Sequence, residues 1–574
     1  MTNIPRPEYP RPQMVRPDWQ NLNGKWQFEF DHGNSGKWRD LHKADAGKFD
    51  LTINVPFVPQ SKLSGIEHLD FFTCCWYRRK FTPDKSWCIK DGRILLHFGA
   101  VDFVAEVWVN EKLVGMHRGG YTPFVFDITD SVTDGENLLV VRAYDDGHDK
   151  MQYTGKQIYF HYDNKACWYP RCNGIWQTVW LEYVPNTYIK QLKMTPDVDN
   201  EKLDVTVTLN KWSSGAIVNA TVTTPTGEVT VGAKATGSAC TFSIPVPKPR
   251  LWSLDDPYLY DVTFTVGKDS VVSYFGMRKV EIVGYAVHLN DKPVYQRLVL
   301  DQGFYRDGII TAPSDDVLRR DVELGLEAGF NGARLHMKVF EPGTLYWADK
   351  LGYLVWGEFP NWGMEEGDPA SLNSMLPGWI ESVNRDYNSP ALVGWCPFNE
   401  TRPNRVAEVF ETFYDVTRAI DPIRPIIDTS GYVHSSKTDI FDVHDYDQNV
   451  ESFRKRYEGL ASGEGEIFQH KHCVGYAGQP YFVSEYGGIF WDIGLTEKDD
   501  WGYGENPKSI EEFYARLEGL TDVLLENDKM CAFCYTQLTD VFQEKNGIYS
   551  FDREVKFDMD RVRKIFTKVA AIEK

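Results

Sequence analysis

The segment "LVGWCPFNE", residues 392–400, is an apolar run that ends abruptly in two polar groups, Asn399 and Glu400. From about residue 285 onwards, short apolar runs of this kind alternate with helical stretches of about ten to fifteen residues. That alternation is typical of βα units arranged around a parallel sheet. The segment therefore predicts a buried parallel strand with polar groups at its C-terminal end.

Eight apolar runs fall within this part of the chain: RLVLDQ, NGARLH, YLVWGEF, LVGWCPFNE, RPIIDTS, DIFDVHDY, PYFVSEYGG and MCAFCYTQ. Helices are predicted between them, the first over SDDVLRRDVELGLEAG with Ser314 as its N-cap. Eight strands alternating with helices predict a TIM barrel over residues 283–574. Glu400 then stands at the C-terminal end of the fourth strand, where TIM barrels carry their chemistry.

The chain before the barrel predicts two all-β domains. Up to residue 185, runs such as GKWQFEF and FVAEVWVN alternate apolar and polar residues between Gly, Asp, Asn and Pro turns, as a jelly-roll β-sandwich would. Shorter strands over residues 186–282 fit an immunoglobulin-like sandwich. The predicted fold is thus multidomain, two β-sandwiches followed by an α/β barrel.

Composition excludes several classes of function. The formal net charge of −20 repels phosphate backbones, so no nucleic-acid partner is expected. The N-terminus lacks an apolar signal segment and no apolar stretch approaches 18 residues, so a cytoplasmic protein without membrane contact is expected. The ten cysteines, among them Cys88, are then expected to be reduced. Cys531 and Cys534 form one CxxC without a second ligand pair, so no metal site is expected there.

Acids recur at the predicted strand ends, at Glu358, Glu400 and Glu485. Glu400 on the fourth strand and Glu485 on the seventh would face each other across the barrel mouth, and such a pair can cleave a glycosidic bond. Carboxyl groups about 5–5.5 Å apart give retention of configuration, whereas about 6.5–9.5 Å gives inversion. The sequence leaves that distance open.

At these segments the chain resembles glycoside hydrolase family 2, the family of β-galactosidases, β-glucuronidases and β-mannosidases. The likeness lies in RPDWQNLNGKWQFEFD, in CNGIWQTVWLE, in VNRDYNSPALVGWCPFNE, which resembles the acid/base signature, and in PYFVSEYGG, which resembles the nucleophile segment. The resemblance implies a retaining mechanism with Glu400 as acid/base and Glu485 as nucleophile. An acid that must be protonated before attack is expected to have a raised pKa.

The resemblance also implies substrate-binding roles. Asn399 would bond the sugar 2-hydroxyl, and Arg334 would brace the nucleophile. Met337 stands where related enzymes usually carry a His, and His336 precedes it. The remaining candidates for the sugar site are His444, Tyr446, Tyr535, as the subsite floor, and Asp301, as a ligand of a sugar hydroxyl.

Departures from the family pattern bear on the sugar. In QEKNGIYS, Glu544 and Asn546 replace the Asn and Lys with which β-glucuronidases bind a carboxylate, so a uronic acid is disfavoured. Trp362 and Gly363 stand where metal-dependent relatives have ligands, so neither a metal nor another cofactor is expected. Trp168 replaces an acid that relatives extend from the jelly roll. A neutral β-D-galactoside is the first expectation, with an arabinoside, a β-mannoside and, less favoured, a β-glucuronide as alternatives.

Two barrel loops, residues 361–375 and 488–507, are suited to walling a pocket, which favours an exo-acting enzyme on terminal sugars. An inactive carbohydrate-binding protein is the alternative from another class, but it predicts the loss of one of the two acids. The sequence leaves a homo-oligomer open.

Overall fold

The computed structural model describes residues 4–47, 49–87, 90–366, 368–403, 405–471, 473–494 and 497–574. No helix within these ranges combines the length and apolar character needed to cross a bilayer. All nine cysteines in these ranges are free thiols, and Cys88 lies outside the described residues.

The N-terminal sandwich packs a four-stranded sheet, in the order β1-β12-β5-β9, against a six-stranded sheet in the order β3-β2-β4-β10-β7-β8. Period-2 patterning explains the packing, since Trp26 and Phe28 of β2 are buried while Lys25 and Gln27 are exposed. Its strands are β1 Trp19–Asn21, β2 Gly24–Phe30, β3 Leu51–Val55, β4 Cys74–Phe81, β5 Gly92–Phe98, β6 Val101–Asp102, β7 Val104–Val109, β8 Lys112–Arg118, β9 Phe124–Asp127, β10 Asn137–Tyr144, β11 Gly174–Ile175 and β12 Val179–Pro185.

The immunoglobulin-like sandwich packs sheets in the orders β13-β14-β17 and β16-β15-β18-β19. Alternate residues of β14, from Leu203 to Leu209, are buried between the sheets. The strands are β13 Ile189–Asp197, β14 Lys202–Leu209, β15 Ile217–Thr224, β16 Gly227–Lys234, β17 Ala239–Pro245, β18 Tyr260–Val266 and β19 Asp269–Phe275. A small antiparallel sheet of β20 Val280–Val283, β21 Ala286–Leu289 and β22 Lys292–Pro293 leads into the barrel.

The barrel is a curled parallel sheet in the order β26-β25-β24-β23-β31-β30-β29. Its strands are β23 Gln296–Asp301, β24 Gly332–Leu335, β25 Leu354–Glu358, β26 Leu392–Cys396, β29 Phe441–Asp445, β30 Tyr481–Gly487 and β31 Met530–Thr536. The predicted fifth strand, RPIIDTS, is the weakest member. It pairs only through a bridge between Trp395 and Ile426 and through β27 Phe398–Asn399 with β28 Thr429–Ser430.

Within the described ranges, five helices surround the barrel where the sequence predicts them, and α5 and α7 are additional helices. They are α1 Asp315–Ala328, α2 Pro342–Leu351, α3 Leu372–Asp386, α4 Ala407–Ile420, α5 Val450–Ser462, α6 Ile510–Leu525 and α7 Met559–Phe566. Ser314 occupies the N-cap position of α1 with extended backbone, but its side chain makes no cap hydrogen bond. Single 3₁₀ turns cover Lys62–Ser64, Thr129–Ser131, Pro369–Ser371 and Ala571–Glu573.

The N-terminal sandwich docks on the mouth of the barrel. Tyr121, Tyr153 and Trp176 of the sandwich belong to the same buried apolar cluster as the barrel strands. The ring of Tyr153 lies 4.8 Å from that of Phe359, just beyond β25. This contact places sandwich loops beside the C-terminal ends of the barrel strands.

Candidate active site

Glu400 and Glu485 come together at the C-terminal end of the barrel. One carboxylate oxygen from each and a ring nitrogen of His444 all lie within 4.8 Å of one another. Glu400 follows β27 with φ of 49°, in the left-handed region that side chains other than Gly seldom adopt. That turn interrupts the alternation of the strand, so the consecutive residues Asn399 and Glu400 both contact the site.

Three donors surround the carboxylate of Glu485. Tyr446 donates its hydroxyl to Oε2 over 2.5 Å, and Arg334 Nη1 donates to Oε1 over 3.2 Å. His444 Nε2 lies 3.4 Å from the same Oε1. Since the side chain is only 5% exposed, these groups fix its orientation in a nearly dry environment.

Arg334 connects the acids and the amide of the site. Its Nε donates to Glu358 Oε1 over 2.6 Å, and its Nη2 donates to Asn399 Oδ1 over 3.1 Å. Burial alone would raise the pKa of Glu358, but Arg334 and His336 lower it to about 2. Glu358 is therefore a charged structural partner of the arginine rather than a free acid.

His444 lies between the two acids, with Nδ1 2.9 Å from Glu400 Oε1. Burial lowers its pKa, but the charges of Glu485 and Glu400 outweigh burial and raise it. Burial alone would raise the pKa of Glu400, yet the hydrogen bond and charge of His444, with Lys156, hold it at about 2. The structure thus contradicts the expected raised pKa of Glu400, because the hydrogen bond and charge of His444 favour the ionised carboxylate.

Asn399 has an unused donor. Its side-chain oxygen accepts from Arg334, while Nδ2 is buried and finds no acceptor among the described residues. Buried amide groups nearly always have a partner, so this donor is available to a ligand or to water. Its backbone is fixed by Asn361, whose Oδ1 accepts from the Asn399 N–H over 2.9 Å.

Two predicted site residues do not reach the carboxylates. Asp301 shares the outward face of β23 with Arg297, and its carboxylate accepts from the Gly303 N–H over 2.9 Å, near Lys338 and Asp321. Tyr535 lies on the outward face of β31, with its ring edge-on to Tyr486 and close to Phe566 of α7. Strand alternation accounts for both corrections, because inward positions fall one residue away.

Sequence reasoning missed contributors from outside the consensus segments. Tyr503, on the loop after β30, stacks on Tyr446 with ring centroids 3.5 Å apart. Tyr432 lies close enough to Glu400 to help lower the pKa of that acid. Lys156 comes from a loop of the N-terminal sandwich and lies close enough to Glu400 and Glu485 to interact with their charges. No sequence motif marks Lys156, since only docking of the domains brings it here.

Three chain segments meet beside the acids, where Trp362 donates to the Asn399 carbonyl over 3.1 Å. Trp168 of the sandwich packs on Trp362 of the barrel, with centroids 4.9 Å apart. Trp501 donates to the carbonyl of Ala166 over 3.0 Å, which joins the loop after β30 to the same sandwich loop. Gly367, Leu495 and Thr496 of the two predicted walls lie outside the described residues.

Glu544 is buried beside the site, where Tyr169 donates to its Oε2 over 2.6 Å and Asn546 to its Oε1 over 3.0 Å. Across the described ranges, Glu400, His444 and Glu485 are the one set of three or more acidic, His or Cys groups whose atoms could hold a metal ion together. Since these atoms already bond one another or neighbouring donors, a cation would compete with the chemistry of the pair.

Comparison with known proteins gives relatives of two kinds. A β-galactosidase from Thermoanaerobacter pseudethanolicus is 27% identical over 466 residues, covering 76% of this chain and 58% of the relative. A β-glucuronidase from Rattus norvegicus is 27% identical over 450 residues, covering 71% and 67%. The chain thus spans little more than half the length of the first of these curated relatives.

A solved β-glucuronidase from an uncultured Clostridium sp. shares the fold with a TM-score of 0.79, at 22% identity, over 96% of this chain and 98% of that one. Three family models match in succession. They are the sugar binding domain of glycosyl hydrolases family 2 over residues 19–185, the family 2 domain over 187–278 and the family 2 TIM barrel domain over 312–571. The chain therefore belongs to glycosyl hydrolases family 2.

Proposed function

We propose that the protein is a retaining, exo-acting glycosidase in which Glu485 is the nucleophile and Glu400 is the acid/base. The observation that carries the proposal is the proximity of the two acids, with an oxygen of each within 4.8 Å of the other. This proximity supports a carboxylate nucleophile, because a water between the acids needs carboxyl groups about 6.5–9.5 Å apart.

The environments of the two acids support this division of roles. Glu485 is held by Arg334 and Tyr446, two donors that orient an ionised carboxylate for attack on the anomeric carbon. The Glu400 side chain is 17% exposed, against 5% for Glu485, as expected for a group that reaches a departing aglycone. The free Nδ2 of Asn399 supports a hydrogen bond to the sugar 2-hydroxyl.

The proton for the first step is held by the Glu400–His444 pair. In our proposal His444 passes a proton to Glu400 as Glu400 protonates the glycosidic oxygen. The bond between that oxygen and the anomeric carbon breaks, the aglycone leaves as an alcohol, and Glu485 forms the bond to the sugar. In the second step Glu400 removes a proton from water, water attacks the sugar, and Glu485 leaves as a carboxylate. The proton then returns to His444, so each turnover restores the pair.

Exo action is supported by contacts between loops beside the acids. Trp168, Trp362 and Trp501 join the sandwich loop to two barrel loops, and Trp362 also donates to the Asn399 carbonyl beside Glu400 over 3.1 Å. Loops joined in this way favour a pocket for the end of a saccharide, whereas cleavage of internal bonds needs an open cleft.

The sugar is proposed to be neutral, and a terminal β-D-galactoside is the first choice. Glu544 occupies the place of a carboxylate-binding amide. Its own carboxylate would repel the carboxylate of a uronate. An arabinoside and a β-mannoside fit the same argument. A β-glucuronide remains the competing substrate, because relatives of both names are 27% identical to this chain.

The test is release of nitrophenol from a panel of aryl glycosides: β-galactoside, β-glucuronide, β-mannoside, β-glucoside, β-xyloside and both ring forms of α-L-arabinoside. Glu485→Ala should lose at least about four orders of magnitude in kcat, as removal of a nucleophile does elsewhere. Glu408→Ala, an exposed acid on α4, is the matched control and should keep full activity.

Azide distinguishes the two acids. It should restore turnover to Glu485→Ala with an inverted glycosyl azide, and to Glu400→Ala with a retained one, because azide replaces the missing nucleophile or attacks the intermediate. Exchanged products would reverse the assignment. A folded wild-type protein that is inactive on every glycoside would instead indicate a carbohydrate-binding protein.

A further inference from the structure

Lys156 is carried to the barrel mouth by a loop of the N-terminal sandwich that is bonded to the barrel backbone. Thr154 N–H donates to the Trp362 carbonyl over 2.7 Å, and Gly155 N–H donates to the Pro360 carbonyl over 3.2 Å. Gly155 has φ of 61°, and a Cβ there would lie 2.7 Å from the Met337 carbonyl oxygen. The approach therefore requires glycine, and it fixes where the next residue points.

On the other side of the lysine, Gln157 Nε2 donates to Asp102 Oδ2 over 2.8 Å and Gln157 Oε1 accepts from the Cys172 N–H over 2.7 Å. Lys156 is thus held between two anchored neighbours. It is 7% exposed, so its position is a buried one rather than that of a surface lysine.

The ammonium of Lys156 has no hydrogen bond or ion pair within the part of the chain that the structure describes. Its Nζ lies 4.1 Å from the centre of the Trp362 ring. Burial lowers the pKa of Lys156, but charge interactions with Cys167, Glu400, Glu544 and Glu485 outweigh burial and raise it. The three donors of this ammonium are therefore free for water or for hydroxyl groups of a ligand.

The charge around Lys156 selects the chemistry of that ligand. Glu485 and Glu400 are paired with Arg334 and His444, whereas Glu544 accepts from the neutral donors Tyr169 and Asn546. A further anionic group would add repulsion from Glu544, whereas the hydroxyls of a neutral sugar accept hydrogen bonds without added charge. The Trp362 ring beside the ammonium gives the apolar C–H face of a sugar a surface to cover.

We propose that Lys156 is a substrate-binding residue that selects neutral sugars by donating hydrogen bonds to hydroxyls of the terminal residue. This inference rests on the proposed function, and it adds a specificity determinant from a domain that carries neither catalytic acid. A hydroxyl that bonds the ammonium is lost in a deoxy sugar, which gives the proposal a direct chemical test.

The experiment compares wild type, Lys156→Met and Lys165→Met on aryl glycosides of the preferred sugar and on its monodeoxy analogues. Lys165 is an exposed lysine close to Lys156 in the chain and serves as the matched control. Loss of a hydrogen bond from a charged donor should lower kcat/KM of Lys156→Met about 10- to 100-fold on the full sugar. One deoxy analogue should show the same loss in wild type and no further loss in Lys156→Met.

Two results would overturn the proposal. One is Lys156→Met within threefold of Lys165→Met on every sugar, with unchanged melting temperature. The other is a wild type that prefers a uronide and loses that preference in Lys156→Met, which would mean that the lysine binds a carboxylate. Calorimetric binding of D-galactose and D-galacturonic acid distinguishes failure of the Lys156 proposal from failure of the proposed reaction. Binding of the neutral sugar that depends on Lys156, in a protein without turnover, would refute the proposed reaction and retain the role of the lysine.

Discussion

Removal of the Tyr446 hydroxyl should slow hydrolysis of the glycosyl-enzyme more than its formation. In the free enzyme the hydroxyl donates to Glu485 over 2.5 Å, and Thr536 Oγ1, 3.1 Å away, can supply its own proton to the phenol oxygen. Tyr446→Phe deletes the donor to the nucleophile. The ring itself stays stacked on Tyr503, 3.5 Å between centroids.

The magnitude follows from the charge of Glu485 along the reaction. The carboxylate is charged in the free enzyme, neutral as a glycosyl ester, and charged again as the ester breaks. A hydrogen bond to a charged group contributes about 1.5–3 kcal/mol, which corresponds to about 10- to 150-fold in rate. We therefore expect kcat to fall by that factor and KM to fall with it, while kcat/KM changes less, because the free carboxylate loses the same bond.

The assay is pre-steady-state release of nitrophenol from the preferred aryl glycoside. Tyr446→Phe should give a burst equal to the enzyme concentration, followed by slow turnover, as the glycosyl-enzyme accumulates. Tyr535→Phe is the matched control, because its hydroxyl lies on the outward face of β31 without a side-chain partner there, and it should stay within twofold of wild type. Equal falls in kcat and kcat/KM without a burst would refute the assignment of Tyr446 to departure of the nucleophile.

The other predictions concern the charges of the site. Glu358→Gln should lose about 3 kcal/mol of barrel stability at pH 7, because the pKa of Glu358 is held at about 2. This stability is present above about pH 4.5 and is lost as pH falls towards 2. In urea unfolding, the difference from wild type should therefore shrink below pH 4.5, and a constant difference would contradict the charge argument. His444→Gln should move the alkaline limb of kcat/KM to lower pH, because a raised histidine pKa keeps the proton available until pH rises through it; an unmoved limb would assign the proton elsewhere. Asp301→Asn should leave kcat/KM within threefold for every sugar of the panel, and a selective loss on one sugar would return Asp301 to the site. Dialysis against EDTA should leave activity unchanged and added Zn²⁺ should inhibit by binding the Glu400–His444–Glu485 group, whereas loss with EDTA and recovery with a divalent cation would show a metal requirement.

The sequence predicts the position of the two acids well because strand periodicity and strand ends are local features. Glu400 and Glu485 follow continuous apolar runs, so their place at the barrel mouth needs no knowledge of other segments. Asp301 and Tyr535 also stand near strand ends, yet a shift of one residue places each on the outward face. In a strand that is apolar on both faces, the sequence shows where the strand ends. It does not show which side chains point into the barrel and which point outward.

Properties that depend on two segments escape sequence reasoning. The pKa of Glu400 is set by His444, 44 residues away, and its direction reverses the one that burial alone suggests. Lys156 reaches the acids only because its loop is bonded to the carbonyls of Pro360 and Trp362. Pairing between distant chain segments determines both cases.

The bonds from Thr154 and Gly155 to the barrel also bear on how such a protein can change over generations. The two acids stand at barrel strand ends, while the loop that carries Lys156 is part of a sandwich with its own hydrophobic core. Under the proposed role of Lys156, substitutions in residues 152–169 would change the sugar preference without replacing either acid. Descendants with different sugars would then keep the same two acids at the barrel mouth.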